Sequence, residues 1–595
     1  MKFDFECVKK YEKWSWAANF LKKSRGRNLI FLLFIVAGFA LYANTFNNKM
    51  FWDDEDVILK NQFIQDWQYV PKYFSDNLIA GSGLISNYWR PALLSIFSLE
   101  WHLWGNWPAG YHFVNMAFHI ADATLLFLVL SYLFKNRWLA IFTALIFLVH
   151  PLQTEAVTYV SGLSDPLATF LMLAGLLFYL KFRLSKKPAL ESHWYFLTLL
   201  IYILALMTKE TAVILPALIF ICDFFWLGQE PEQLAFAEKL KKTAKAVWPF
   251  FVIAGLYILA RGTILNFQNT FNLYDEQNIF TSNFYIRLLT FFRIMMIYLG
   301  LLFWPFNLHM ERSVTIATSL HSWPVIFGGV IFLSLLILAL TQFKRWPVLS
   351  FGILWFFIGI APNSNLVIPI NGLLFEHWLY LPMIGIFMAV IWLGISAARR
   401  FNLQKIFLLI LAIFLIFLSV LTINRNKDWA DPIIFYNQTL KYAPTSYRVI
   451  NNLGMAYADA GDYERAKQTY QKAIELYPAQ AVAYHNLGNL YKANGQTNLA
   501  IDNFKAAISL DPKFFFSYNI LAGLYLENKN YQEARKVLEN YLNYSGLKTD
   551  TLFLLAQIAM EEGDLKAALA YLEKFLAIDP GNRMVQNAIL QIRGF

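Results

Sequence analysis

The sequence is poor in charged residues and has almost no cysteine. Of its 595 residues only 15% are charged, where a typical soluble domain has about 25%, and 57% are hydrophobic. The two cysteines, Cys7 and Cys222, are too few for a disulfide scaffold or for a structural zinc site, which needs four ligands. Aromatic residues make up 18% of the chain, whereas disordered proteins have few. These numbers exclude a purely soluble globular protein, a disulfide-stapled module and a disordered chain.

What the sequence has instead is a series of long apolar runs. A helix needs about 20 predominantly apolar residues to cross a bilayer, and several of these runs reach that length once their flanking aromatics are counted. We predict eleven membrane spans, at residues 29–44, 111–134, 138–149, 166–179, 194–206, 212–227, 246–259, 324–340, 347–360, 379–395 and 406–422. Another run, 284–304, contains Arg287 and Arg293 and is predicted to be re-entrant or interfacial.

The net charge of +10 first suggests a nucleic-acid partner, but its distribution favours membrane topology. The alternate connections 1–28, 135–137, 181–193, 228–245, 343–346 and 396–405 contain 23 Lys/Arg and 7 Asp/Glu, whereas the rest of residues 1–426 contains 10 and 16. Positive residues in short loops mark the cytoplasmic side. We therefore predict a cytoplasmic N-terminus and, after an odd number of spans, an extracytoplasmic C-terminal region, with no nucleic-acid partner.

The basic leader and first apolar run could also be a signal peptide. Residues 1–27 form a long basic segment, and no small-x-small cleavage site follows. We predict an uncleaved first helix.

From residue 427 the charge is balanced and the sequence repeats every 34 residues. Leu453, Gly454, Tyr457, Gly461, Ala466, Ala473 and Pro478 recur as Leu487, Gly488, Tyr491, Gly495, Ala500, Ala507 and Pro512, and two further units keep part of the pattern. This period and pattern resemble the tetratricopeptide repeat. We predict two domains: a membrane domain at 1–426, and a solenoid at 427–595 with four repeats and a capping helix at 584–595. Such a solenoid binds a peptide or protein in its groove; a spacer or a dimerisation surface is the alternative.

Four consecutive acidic residues, 53–56, follow the first span on the predicted outer side. Like charges close together at a membrane surface raise the pKa of at least one carboxyl group toward that of a general base. The alternative is a solvated loop without a role in chemistry.

Other ionisable and polar residues fall in loops predicted to lie on the same side. Because ionisable groups near membrane spans are costly, they are candidates for function; these are Arg90, His150, Glu155, Asp165, Lys209, Glu210, Glu376, His377 and Tyr380. A carboxylate could take the proton of an acceptor hydroxyl, while cations neutralise a departing phosphate. This arrangement favours a glycosyltransferase with a polyprenyl-phosphate sugar donor. An ion-coupled transporter is disfavoured, because its acidic sites usually lie near the bilayer midplane and only Asp122 does so here.

The loops between the apolar runs contain a series of short motifs. They are Phe51-Trp52-Asp53-Asp54 with Asn61, Tyr88-Trp89-Arg90-Pro91, Gly110-Tyr111-His112-Phe113-Val114-Asn115 with His119, His150-Pro151 with Thr154-Glu155-Ala156-Val157, Gly162 with Asp165, Lys209-Glu210-Thr211, and Glu376 with Leu379-Tyr380-Leu381-Pro382, followed by the repeats. In these motifs and in their order the chain resembles the transmembrane and tetratricopeptide-repeat O-mannosyltransferase family, of the GT-C class of membrane glycosyltransferases. The resemblance covers nearly the whole chain.

The resemblance implies an all-helical GT-C fold with its active site on the non-cytoplasmic face. It further implies a lipid-phosphate mannose donor, a Ser or Thr acceptor on a protein presented by the repeats, and Asp53 and Asp54 as the catalytic pair. The chain departs from the family in three ways: Leu163-Ser164 replaces an Arg-Ala before Asp165, His377 replaces an arginine, and there are only four repeats. The last departure suggests a bacterial member in the cytoplasmic membrane, with a polyprenyl carrier.

We expect an inverting mechanism in which Asp53 or Asp54 is the base and Arg90, Lys209 and His377 hold the lipid phosphate. Glu155 and Asp165 would orient the sugar or these cations. No metal or other cofactor is expected to be obligatory, although a divalent ion on 53–56 is an alternative. The alternatives for function are the same chemistry on a glycan or lipid acceptor, or a non-enzymatic membrane anchor for a repeat scaffold.

Overall fold

A computed structural model describes residues 24–185, 188–227, 236–267, 278–370, 372–546 and 548–594. Cys7 and nearly all of the leader lie outside them. Every regular element in the described part of the chain is a helix, which confirms the predicted all-α fold. The chain divides into two compact units, Met1–Phe435 and Tyr436–Phe595.

The first unit is a bundle of apolar helices. Among the described residues, eight helices are long and apolar enough to cross a membrane, a bent pair adds a ninth, and His193–Leu206 and 347–363 are shorter apolar segments. The helices are Ser24–Tyr42, Pro108–Phe134, Arg137–Val149, Ser164–Ser185, His193–Leu206, Leu215–Cys222, Phe236–Gly262, Phe284–Phe303, Trp323–Thr341, Pro347–Ile360, Met383–Arg400 and Gln404–Asp428. Exposed leucine, isoleucine and phenylalanine side chains cover many of them. The unit is that of a multi-pass membrane protein.

The helix Phe284–Phe303 is continuous, without the break of a re-entrant segment. It passes the length and composition test for a span. Its two ends, however, contact segments that the charge bias assigns to one side: Arg287 Nη2 donates to the Leu366 carbonyl (3.4 Å), and the Leu302 carbonyl lies 3.0 Å from His150 Nε2. The predicted interfacial position of this helix stays a prediction.

Two helices of the bundle touch through their backbones. A Cβ atom added to Gly352 or to Gly385 would collide with the carbonyl oxygen of the other glycine. The helices Pro347–Ile360 and Met383–Arg400 therefore pack without intervening side chains, which fixes the segment Glu376–Leu379 that directly precedes the second helix.

Between the first two long helices, residues 46–107 form short turns and the helix Pro91–Trp104 around a smaller apolar core. Glu100 lies within this region, 2% exposed, and neither of its carboxylate oxygens has a hydrogen-bond partner among the described residues. Burial raises the pKa of Glu100 well above its ordinary value.

Replacing Glu100 by methionine is expected to stabilise the protein by about 1–3 kcal/mol at neutral pH, because an unpaired buried carboxyl is exchanged for an apolar side chain of similar volume. The raised pKa predicts that wild-type stability is lost as pH rises, and that the variant shows less of this loss. Thermal unfolding in detergent measures both, with the exposed Glu191 changed to methionine as control. If the unfolding temperature depends on pH equally in the variant and in the wild type, the raised pKa assigned to Glu100 is contradicted.

The second unit consists of paired antiparallel helices. They are Tyr447–Asp459, Tyr463–Leu476, Ala481–Ala493, Thr497–Leu510, Phe515–Glu527, Tyr531–Ser545, Thr549–Glu561, Leu565–Ile578 and a last helix Arg583–Arg593. The turn inside each pair needs a left-handed residue, which is Gly461, Gly495 and Gly563 (φ 77°, 70° and 79°) in three repeats but Lys529 (φ 59°) in the third repeat. The described residues of this unit thus form four helical pairs and a last helix.

Candidate active site

The acidic run after the first long helix forms a tight turn. Trp52 has a φ of 62°, which is a strained conformation for a bulky residue. Asp54 closes the turn by accepting from the Phe51 backbone N–H (3.2 Å), and its other oxygen accepts from the N–H and the hydroxyl of Ser161 (2.8 and 2.6 Å). Asp54 is 1% exposed, while the neighbouring Asp53 is exposed. The two predicted catalytic carboxylates thus have different environments.

The segment that holds Asp54 is itself fixed by the bundle. Asn115 donates to the carbonyls of Tyr159 and Val160 (2.8 and 3.2 Å), and the Tyr159 ring stacks on Trp429 with centroids 5.3 Å apart. The Tyr159 hydroxyl accepts from the backbone N–H of Asp53 (3.0 Å). Gly162 lies so close to the carbonyls of residues 155 and 156 that a Cβ would collide with them. The position of Asp53 therefore depends on Asp54, Tyr159 and Ser161.

Burial raises the pKa of Asp54 to about 7, although the hydrogen bonds from Ser161 and Phe51 lower it. A raised carboxyl pKa gives stability that is complete at acidic pH and is lost as pH rises. We expect the unfolding temperature to fall between pH about 4, the pKa of an unfolded aspartate, and about 7. In Asp54→Asn this contribution to the fall of the unfolding temperature with pH should be absent. Thermal unfolding across that pH range measures it; an undiminished slope in Asp54→Asn would contradict the assignment to this carboxyl.

A second group of site residues consists of two ion pairs, Arg90 with Glu210 and Lys209 with Asp165. The guanidinium of Arg90 bonds to both carboxylate oxygens of Glu210, with the shortest distance 2.8 Å from Nη2 to Oε2. Lys209 Nζ lies 2.6 Å from Asp165 Oδ1, with both side chains largely buried. Burial alone would raise the pKa of Glu210, but Arg90 lowers it below its usual value, so Glu210 is ionised. Burial lowers the pKa of Lys209, and Asp165 opposes the shift.

Tyr88 packs against the first of these pairs. Its ring lies under the guanidinium of Arg90, at 4.5 Å from the ring centroid, and its hydroxyl is within electrostatic range of Asp53, Glu210 and Arg261. Arg261, at the end of the helix Phe236–Gly262, donates to the carbonyls of Asn87 and Leu265. Arg90, Lys209 and Arg261 with Glu210 and Asp165 give this part of the site a net charge of +1.

A third group lies around the segment Glu376–Leu379. His377 donates from Nδ1 and from its backbone N–H to Glu155 (2.8 and 3.0 Å). Glu376 accepts from Arg312 Nη2 and from the His309 N–H (both 2.7 Å). Arg425 Nη2 is 4.0 Å from Glu376 and does not hydrogen-bond to it.

Two of the predicted site residues, His150 and Tyr380, make hydrogen bonds inside the helix bundle. His150 uses both ring nitrogens, Nε2 at 3.0 Å from the Leu302 carbonyl and Nδ1 as acceptor from the Leu152 N–H, and is fully buried. The Tyr380 hydroxyl contacts Asp122 and His119 inside the bundle. The structure therefore places both side chains in internal contacts.

A narrow cleft lies between the second and third groups. It is lined by side chains from four segments, among them Asp165, Thr211, Asn363, His377 and Pro382. Asp165 and His377 each belong to one of the ion-pair groups described above.

Sequence reasoning missed Tyr88, Arg261, Arg312 and Arg425 as site residues. The three arginines lie where the predicted topology has few positive charges, and a cation against the charge bias could have served as the signal. Among the described residues no group of three or more histidine, cysteine, aspartate or glutamate side chains is arranged to hold a metal ion.

Similar relatives include the protein O-mannosyl-transferase Tmtc1 of Drosophila melanogaster (25% identity over 74% of this chain and 61% of that protein), the human protein O-mannosyl-transferase TMTC4 (24%, 72% and 64%) and the protein O-mannosyl-transferase F38B6.6 of Caenorhabditis elegans (25%, 77% and 64%). The predicted resemblance to this family is confirmed. The chain spans less than two thirds of the length of these relatives.

Models of the tetratricopeptide repeat match residues 446–513, 503–536 and 524–583, which confirms the predicted repeats. Among solved structures, the chain is similar to the crystal structure of MamA, at 23% identity over 25% of this chain and 86% of that protein, with a TM-score of 0.23.

Proposed function

We propose that the chain is a membrane glycosyltransferase that moves a sugar, mannose by analogy with its relatives, from a polyprenyl-phosphate donor to Ser or Thr hydroxyls of a protein. The site would face the extracytoplasmic side of a bacterial cytoplasmic membrane, with the repeat unit holding the acceptor. The observation that carries the proposal is that Arg90, paired with Glu210, stacks on Tyr88, whose hydroxyl is within electrostatic range of the exposed carboxylate Asp53, and that the buried pair of Lys209 and Asp165 follows in the same site.

Asp53 fits the role of the base better than Asp54. Both oxygens of Asp54 already accept hydrogen bonds and its side chain is buried, whereas Asp53 is exposed. Asp53 would take the proton of the acceptor hydroxyl as its oxygen bonds to the anomeric carbon. The bond from that carbon to the phosphate oxygen breaks on the opposite face, which inverts the anomeric configuration. Asp54 positions Asp53.

The cationic group suits the departing phosphate. The donor phosphodiester has one negative charge, and the lipid phosphate that leaves gains a second. Arg90, Lys209 and Arg261 exceed Glu210 and Asp165 by one positive charge, so this charge can be offset where it develops. His377, oriented by Glu155, lines the cleft, where its Nε2 can hydrogen-bond to a hydroxyl of the sugar.

The test is an assay of the purified full chain in lipid nanodiscs with synthetic polyprenyl-phosphate mannose and a Ser/Thr-rich peptide. We expect mannosylated peptide with an inverted anomeric centre by NMR, and the same rate in the presence of a chelator. Loss of activity with the chelator, restored by Mg²⁺ or Mn²⁺, would show a metal-dependent reaction. Transfer only to a glycan or lipid would change the acceptor, and no transfer to any acceptor would favour a membrane-anchored scaffold.

A further inference from the structure

A chain of buried polar groups lies behind the wall of the cleft. The Tyr380 hydroxyl is 2.8 Å from Asp122 Oδ2 and 2.7 Å from His119 Nδ1, and His119 Nε2 is 3.1 Å from the Leu148 carbonyl. The side chains of Asp122, His119 and Tyr380 are at most 1% exposed. The proposed reaction uses none of these contacts.

The contacts limit where hydrogens can be. Leu148 lies in the last turn of the helix Arg137–Val149, where carbonyls lack a helical donor, so His119 Nε2 must carry a hydrogen. If His119 is neutral, its Nδ1 is then bare and must accept from the Tyr380 hydroxyl. Since Tyr380 has only one hydrogen, its oxygen must in turn accept from Asp122. Asp122 is then a protonated carboxyl.

One other arrangement satisfies the same contacts. An imidazolium at His119 donates from Nδ1 to the Tyr380 oxygen, and the Tyr380 hydrogen goes to an Asp122 carboxylate. Both arrangements contain the same number of protons and are neutral overall. An ionised Asp122 beside a neutral His119 would instead place two lone pairs against each other at 2.7–2.8 Å.

We propose that Asp122, Tyr380 and His119 share one proton as a neutral hydrogen-bond chain, and that this chain makes Tyr380 a positioning residue for the cleft wall. Tyr380 stands between His377 and Trp378 on one side and Leu381 and Pro382 on the other, and all four line the cleft. The hydroxyl ties this wall to the helix Pro108–Phe134. On the other side Trp355 Nε1 donates to the Leu381 carbonyl (3.1 Å), which ties the wall to the helix Pro347–Ile360.

Few other polar groups face the chain. The Tyr42 ring lies edge-on to His119, Phe147 packs against both His119 and Tyr380, and Asp165 is within electrostatic range of Tyr380. No lysine or arginine of the described residues pairs with Asp122, whose Oδ1 has no partner there, nor has the Tyr42 hydroxyl. Loss of the proton at alkaline pH therefore leaves an uncompensated charge and breaks one of the two bonds to Tyr380.

The first test needs no activity. Infrared spectra of the full chain in nanodiscs, with Asp122→Asn as reference, report a protonated carboxyl; ¹⁵N NMR of histidine-labelled protein, assigned with His119→Gln, reports the ring protons. The proposal is supported if the wild type shows a protonated-carboxyl band that Asp122→Asn lacks, or if His119 of the wild type is doubly protonated. A wild type without this band whose His119 is singly protonated overturns the proposal.

The second test concerns positioning and rests on the proposed function. Tyr380→Phe keeps the ring but removes both bonds, and kcat/KM for polyprenyl-phosphate mannose should fall about tenfold or more. The control is Tyr202→Phe, a fully buried tyrosine whose hydroxyl has no partner among the described residues. Equal kcat/KM values for Tyr380→Phe and Tyr202→Phe would overturn the positioning role of Tyr380.

Asp122→Asn is the discriminating variant. An asparagine amide donates to Tyr380 as the protonated carboxyl does, and it has no proton to lose. We expect the variant to keep at least half of wild-type activity at neutral pH and to lose the alkaline fall in kcat/KM. An inactive but folded Asp122→Asn overturns the shared-proton proposal. If the wild type itself transfers no sugar, the spectra still decide this proposal, while the proposed function alone fails.

Discussion

Replacing Asp53 by asparagine is expected to lower kcat of sugar transfer by about 10³-fold, within the range for loss of a general base. The amide has the shape of the carboxylate but cannot take the acceptor proton. Thermal stability should change little, because the Asp53 side chain is exposed and the amide oxygen of asparagine can still accept the hydrogen bond from the Tyr159 hydroxyl. Initial rates with saturating donor and peptide measure the effect.

Glu55→Gln is the matched control, since Glu55 belongs to the same acidic run but pairs with Lys60 at the surface (2.5 Å). It should stay within about twofold of the wild type, as exposed ion pairs contribute little. If Asp53→Asn retains wild-type turnover while Asp54→Asn is inactive and folded, the base is Asp54, and the assignment from exposure is wrong.

Replacing Lys209 by methionine is expected to reduce kcat/KM for the lipid-linked donor by about 10²–10³-fold, the scale seen when a preorganised charge stabiliser is removed. Methionine fills a similar volume but cannot offset charge on the departing phosphate. The same change leaves Asp165 without its cation, and part of the loss could come from that unpaired carboxylate. Steady-state kinetics with varied donor measure the total effect.

The double variant Lys209→Met/Asp165→Leu separates the two causes. It removes both charges, so a purely structural ion pair should be restored to near wild-type activity and stability. A lysine that acts on the phosphate leaves the double variant as slow as the single one. Recovery of activity in the double variant would therefore exclude Lys209 from the phosphate site.

Local patterns in the sequence predicted much of the fold. Apolar runs and their flanking charges predicted the membrane helices, because lipid demands uninterrupted helices of defined length. The 34-residue period predicted the repeats. How the run 284–304 lies could not be predicted from the sequence, because a charged residue in an apolar run argues against a membrane span unless it has a partner. Arg293 donates hydrogen bonds to Thr315 and Ser322, and no local pattern shows these contacts.

The candidate site was predictable as a set of residues but not as a set of pairs. Arg90 and Glu210 are separated by 120 positions, and Glu155 and His377 by 222, so only the folded chain shows which cation faces which carboxylate. The different environments of Asp53 and Asp54 likewise depend on Ser161, which a sequence of four acids does not specify.

The left-handed lysine at residue 529 has a consequence for the mechanics of the solenoid. A side chain in this conformation costs roughly 1 kcal/mol more than glycine. In a structure whose stability is a sum of repeats and their neighbouring interfaces, such a cost stays local. The turn of the third helical pair is thus expected to be the weakest of the four turns, so that local unfolding of the solenoid begins there.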